Sequence, residues 1–290
     1  MGRGGALLVL AALALALNGA RIQAAGIKVG PAGFIVHGVA PGRLYDVSKD
    51  TGLRLTIYND NPTTQIYVLS VHRPSERGQW EKGYLEIPDA RWIWFDRNEL
   101  AVPPNGKESA GLFLKVPDDD KYCNQHWVAT LGVTGKPGAG SIALAVDVRA
   151  QIETMSKSGA RARPDGAIGF APGCVRFEKA VPGRDEKAQA QVYNNTAKER
   201  VYRIEPLKLE DKNKAKAYLT ASFEPIPNTA WLDYPKNIKI APNGMEVFEI
   251  KIRIPKDAPG GAKKWEEILL VAPDEGLPGF VRVQVETAIQ

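Results

Sequence analysis

Side chains able to carry acid–base chemistry or hold a metal are few and scattered. Three histidines, His37, His72 and His126, stand alone in sequence. None falls in the His-Glu-x-x-His or His-x-x-x-His spacing that would turn two imidazoles toward one zinc ion. No Gly-x-Ser-x-Gly elbow exposes a nucleophilic serine, and no Gly-x-x-x-x-Gly-Lys-Ser/Thr loop cradles a phosphate. Asp118-Asp119-Asp120 offers hard oxygens but lacks the spaced ligand ladder of a calcium loop. The expectation is a protein that is not an enzyme, with no cofactor and no metal. Asn194-Asn195-Thr196 spells a glycosylation sequon. The rings that could contact a ligand are Trp80 and Tyr84, in the charged segment Arg73 to Asp89, and Trp94 just beyond it. Aromatic side chains on loops stack on sugars or anchor protein partners. These three are the candidate binding residues.

The elements that must position them repeat. Pro41-Gly42-Arg43 recurs as Pro182-Gly183-Arg184, Tyr58-Asn59 as Tyr193-Asn194, and Tyr67 as Tyr202. Trp92 matches Trp231, and Pro104-Asn105-Gly106 matches Pro242-Asn243-Gly244. Pro117 and Trp127 then correspond to Pro255 and Trp265, 138 residues on. Two copies make tandem domains, since a solenoid needs at least three short repeats. The expected boundaries are domain 1 at 27–154, a linker at 155–169 rich in Ser, Gly, Arg and Pro, and domain 2 at 170–290. The segment Arg73 to Asp89 has no evident counterpart motif in the second copy.

Each copy alternates with period two. Phe248, Ile250, Ile252 and Ile254 face one way while Glu249, Lys251 and Arg253 face the other. Leu112, Leu114 and Val116 keep that phase in copy one. Val281, Val283 and Val285 alternate in the same way, matched by Leu144, Val146 and Val148, and the runs Trp127 to Val133 and Trp265 to Val271 form another such pair. Turn clusters such as Asn59-Asp60-Asn61-Pro62 separate the runs. About seven short strands per copy predict an all-β fold of two tandem β-sandwiches.

The order Trp231, Pro242-Asn243-Gly244, alternating strand, Pro255 and a final hairpin resembles secreted bacterial immunoglobulin-like and fibronectin-III-like modules. That resemblance implies a fold class, not a function. One cysteine per copy rules out the antibody-type intradomain pair. It also rules out a four-cysteine zinc site. Cys123 opens the penultimate strand of copy one and Cys174 the first strand of copy two, so an interdomain Cys123–Cys174 disulfide is expected in an oxidising compartment.

The N-terminus supplies that compartment. Arg3, an apolar run from Ala6 to Leu17 and then Gly19, Ala20, Ala24 and Ala25 have the layout of a secretory signal peptide over 1–25. The run is shorter than the ~20 residues of a membrane span. Its removal takes two arginines and no acid, so the net charge of +5 falls to +3. Interspersed acids and bases make no nucleic-acid footprint. The expected role is a noncatalytic secreted or periplasmic binding or scaffold protein, engaging a protein partner or a cell-envelope component. The alternatives are a pilus-type assembly chaperone and a carbohydrate-binding accessory protein.

Overall fold

The computed structural model describes residues 27–77, 80–81, 83–136, 144–157, 168–208, 218–220, 222–258 and 263–287. The expected signal peptide and most of the expected linker lie outside the described residues. The chain forms two immunoglobulin-like β-sandwiches. One core gathers buried side chains from Phe34 to Ile152 and the other from Ile168 to Val285.

In the first sandwich one sheet runs in the order Gly33–Val39, Ala145–Thr154, His126–Gly135, Gln65–His72 and Glu99–Val102. Two three-stranded sheets face it. Lys28–Gly30, Leu55–Asn59 and Gly106–Ala110 form one; Leu44–Asp46, Leu112–Lys115 and Ile93–Phe95 form the other. The second sandwich packs Ile168–Ala171, Asp185–Asn194, Met245–Arg253 and Leu232–Asp233 against Cys174–Ala180, Gly279–Thr287, Lys264–Pro273, Arg200–Pro206 and Asn237–Ile240. The long Met245–Arg253 strand is split in copy one at Gly111. There the carbonyl accepts from Asp96 N, and a Cβ would sit 3.0 Å from the Asp96 carboxylate. Copy two has Glu249 at that position and the strand continues.

The repeated residues are the parts that hold each sandwich closed. Asn59 Nδ2 donates to the carbonyls of Thr63, Val102 and Pro103; Asn194 Nδ2 donates to those of Lys198, Ile240 and Ala241. Each amide thus ties three carbonyls together at one end of the sandwich. Asn105 and Asn243 take φ of 49° and 51°, the left-handed conformation that asparagine tolerates better than other side-chain-bearing residues. Trp92 and Trp127 meet edge to face with centroids 5.5 Å apart, and Trp231 and Trp265 do so at 5.2 Å.

Two sequence expectations change here. The segment Arg73 to Asp89 does have a structural counterpart. Leu85–Glu86 pairs in parallel with Trp127 and Val128, and Glu224–Pro225 pairs in parallel with Trp265 and Glu266. The letters carry the equivalence only just beyond the strands, where Ile87-Pro88-Asp89 recurs as Ile226-Pro227-Asn228 ahead of the matched tryptophans. Leu144 stands outside its strand and is exposed, so only Val146 and Val148 keep the alternation expected of that run.

Candidate functional site

Alternation assigns one face of each strand to the core and leaves the other for water. On the Ala145–Thr154 strand that outer face carries Asp147, Arg149, Gln151 and Glu153, a ladder of polar groups. Most of its rungs are answered by other parts of the chain. Arg77 approaches Asp147 at 3.9 Å, Glu81 holds Arg149, and Glu153 meets Arg282 of the second domain. The Arg73–Asp89 loop is therefore bolted across the sheet. A further pin joins Arg73 to Glu86.

Ser70, His72 and Glu76 form a second cluster beneath the loop. Ser70 Oγ lies 2.7 Å from His72 Nε2, and His72 Nδ1 lies 3.3 Å from Glu76 Oε2. These are the distances of a nucleophile–base–acid relay. Arg77 also points a guanidinium nitrogen at His72 Nε2 from 3.0 Å. Arginine only donates, so Nε2 must accept, and the ring proton belongs on Nδ1 facing Glu76. Arg77 thus occupies the lone pair a catalytic base would use, and the cluster works as an anchor for the loop. Gly132 makes room for it, since a Cβ there would stand 2.8 Å from Ser70 Oγ.

The last rung is the seam between the domains. Arg282 Nε and a terminal guanidinium nitrogen donate to the two Glu153 oxygens at 2.5 and 2.6 Å, and its other nitrogen donates to Glu266 at 3.1 Å. The two paired side chains are only 3% and 6% exposed. Tyr84 Oη donates to Glu153 Oε1 at 2.5 Å, and His37 Nδ1 lies 3.1 Å from Glu153 Oε2. Glu266 is in turn held by Thr220 and Gln284. Burial alone would raise the Glu153 pKa. The Arg282 charge and the hydrogen bonds from His37 and Arg282 overcome that and hold it well below the carboxylate range. Burial, with the Glu153 charge beside it, pushes the Tyr84 hydroxyl well above its usual pKa, so it keeps the proton it donates.

Around this cluster runs an apolar seam of Tyr84 and Val128 from one domain and Ile268, Leu270 and Phe280 from the other. His126 stacks flat on Phe280 with centroids 3.8 Å apart and planes at 8°. A cavity of about 20 Å³ lined by Gly83, His126 and Phe170 remains beside it, the room of a single water. Asn124 closes the junction. Its amide bonds the N–H and the carbonyl of Lys157 and accepts from Gly173 N of the second domain.

The three candidate binding residues do not converge. Tyr84 is 4% exposed and belongs to the seam, a correction to its reading as a ligand contact. Its ring packs on Phe280, and its hydroxyl is spent on Glu153. Trp80 stands 49% exposed on the pinned loop. Trp94 is on Ile93–Phe95, in the sheet on the opposite side of the first sandwich, and is 39% exposed. The sequence reading missed Glu153, Arg282 and His126. The signal for them was apolar Val128, Ile268, Leu270 and Phe280 at outward-facing positions of their strands.

The expected disulfide meets a direct answer. Cys123 and Cys174 are free thiols, so the expected disulfide is not formed in the structure. Their contact is made instead by the next residues along, Asn124 and Gly173. Cys123 faces the charges of Asp120 and Lys157, whereas Cys174 faces Arg176, Glu266 and Arg282. Burial raises the Cys123 pKa and pushes Cys174 up to about 11, which leaves both protonated and poorly nucleophilic at neutral pH. Two thiols per chain are expected to react with a disulfide reagent in denatured, unreduced protein; zero would restore the bridge. Asn194 of the sequon is fully buried. Among the described residues no group of side chains could hold a metal ion, and no helix is long and apolar enough to cross a membrane. Asp119 caps a short helical turn and Asp120 pairs with Lys157 at 2.6 Å.

No protein-family model matches the chain, and no curated protein matches it. Among solved structures it is similar to a protein of unknown function from Porphyromonas gingivalis W83, at 11% identity and TM-score 0.35, over 90% of this chain and 99% of that one. It is similar to the periplasmic chaperone SfaE at 8% identity and TM-score 0.31, over 89% and 99%. A putative carbohydrate binding protein from Bacteroides ovatus shares 7% identity at TM-score 0.36, over 43% and 38%. Superpositions this loose bear on no functional argument.

Proposed function

We propose that the protein is a noncatalytic binding or scaffold protein, secreted or periplasmic, that holds two β-sandwich domains in one fixed arrangement and engages a protein partner through the Arg73–Asp89 loop. The observation that carries this is Trp80. A large ring left 49% open would ordinarily be folded away, yet its loop is pinned by ion pairs at Arg73–Glu86 and Glu81–Arg149 and by Tyr84 at the seam. A rigid, preorganised aromatic loses little entropy on binding, the economy seen in interface anchors. The compartment rests on the signal-peptide layout expected of residues 1–25.

A photo-crosslinking residue placed at Trp80 in producing cells tests this. The expected result is one discrete protein adduct, absent when the same residue replaces exposed Leu277 of the second domain. Free monomer only, at both positions, would reject the loop as a contact.

A further inference from the structure

Trp94 lies on the other side of the first sandwich, where the Leu112–Lys115 strand aligns three residues in a row. Asp46 is opposite Phe113 on one side and Trp94 is opposite it on the other. The two rings stack at 5.7 Å with planes 16° apart, so Phe113 fixes the tilt of an indole that is still 39% open. The next outward-facing pair is exposed Leu44 with Lys115.

The second domain is an internal control for this row. By the repeat, Trp94 corresponds to Asp233 and Phe113 to Lys251. That pair occupies the same cross-strand register in copy two and forms an ion pair at 3.8 Å. The fold therefore accepts two charged, solvated side chains at this register. Nothing in the sandwich demands an aromatic pair there, and only copy one keeps it.

We propose that the Trp94–Phe113 face of the first domain is a glycan-binding platform, taking a pyranose ring of a neutral polysaccharide on the open indole. A sugar ring presents C–H bonds on its face and hydroxyls at its rim. The face suits the negative surface of an aromatic ring, and the rim suits flanking charged groups. The row supplies both, with the rings at its centre and beside them Lys115 and Asp46, whose Oδ1 also accepts from Lys49 N. A protein occupant fits less well. It would need about 800 Å² around an apolar centre, and here Asp46 and Lys115 stand one step from the rings with only Leu44 to extend the apolar surface. The assignment is independent of Trp80, which lies on the opposite side of the sandwich, and of the protein partner argued for it.

Affinity electrophoresis of the intact chain through gels holding hydroxyethyl cellulose, laminarin or soluble xylan tests it. Retardation is expected in at least one, with the dissociation constant weakened at least tenfold by Trp94→Asp/Phe113→Lys, which installs the pair copy two already carries. The melting temperature should stay within a few degrees, and Trp80→Ala should leave retardation intact. Trp94→Ala, which keeps Phe113 as backing, is the second variant if the double change unfolds. No retardation in any gel, or retardation that survives both variants, overturns the platform. So does loss of a protein adduct, rather than of glycan binding, in the double variant.

Discussion

Arg282→Met is expected to cost about 3–5 kcal/mol of unfolding free energy, the usual penalty for stripping one partner from a buried ion pair. The loss comes less from the missing bonds than from what stays behind. Glu153 would be left almost fully enclosed with only Tyr84 and His37 for company. Its pKa would then rise, since burial pushes it up and the Arg282 charge is the largest influence holding it down. The companion Glu153→Leu/Arg282→Met should recover only part of the loss, because it removes one stranded carboxylate but leaves buried Glu266 with Thr220 and Gln284 and without its Arg282 charge. Urea unfolding of the two single variants and the double variant closes the cycle. A cost below ~1 kcal/mol for Arg282→Met, the range of an exposed pair, would mean that the seam is open in solution.

Acid should loosen the same seam by a second route. Burial lowers the His126 pKa from 6.5 to about 4, aided by the positive charges of Arg282 and His37 and opposed by Glu153. The unfolded chain therefore binds the His126 proton more readily than the folded one, and stability rises with pH between about 4 and 6.5. Falling through that window costs up to about 3 kcal/mol at ~1.4 kcal/mol per pKa unit. Glu267 works in the other direction. Burial raises its pKa to about 7, so its contribution shrinks as pH climbs from about 4.5 to 7. The two slopes partly cancel in a raw profile. His126→Phe keeps a ring on Phe280 and removes the titration, so the difference between wild-type and variant profiles isolates the histidine. That difference should change by roughly 3 kcal/mol across the window, and a flat difference would reject a neutral, buried His126. Below pH 4.5, protonation of Glu153 adds a further loss of stability, because its contribution is present only while it is ionised.

Much of this architecture was legible in the letters. The alternation of Phe248, Ile250 and Ile252 gave a strand, and its buried face is the one expected. Matched landmarks gave two copies, and the asparagines, tryptophans and Pro-Asn-Gly turns do the same work in each. What could not be read was the second face. Arg282 and Gln284 alternate with valines, which a single sandwich would read as solvent-facing. Arg282 is buried against Glu153 of the other domain, and Gln284 against Thr220 and Glu266 of its own. Period two reports which side of a strand a residue occupies and says nothing of what lies beyond it. Tyr84 was misread for the same reason, since a polar loop looks alike in sequence whether it projects into water or lies against a neighbouring domain. Trp94 was singled out in the letters only as a ring; the register that sets it beside Phe113, where the other copy opposes Asp233 to Lys251, could not be read from them.

The amide of Asn194 has a bearing on how the chain can be made. The atom that a eukaryotic oligosaccharyltransferase would modify is the atom that donates to Lys198, Ile240 and Ala241 inside the closed second sandwich. Folding and sugar transfer therefore compete for one nitrogen. A host that glycosylates nascent chains reaches Asn194 before Ile240 is free to fold against it, and the domain can no longer close around the bulky adduct. A bacterial host without that enzyme leaves the order of events to the protein. So does Thr196→Ala, which keeps the asparagine and removes the acceptor signal, at the loss of the hydroxyl that donates to Asn194 Oδ1.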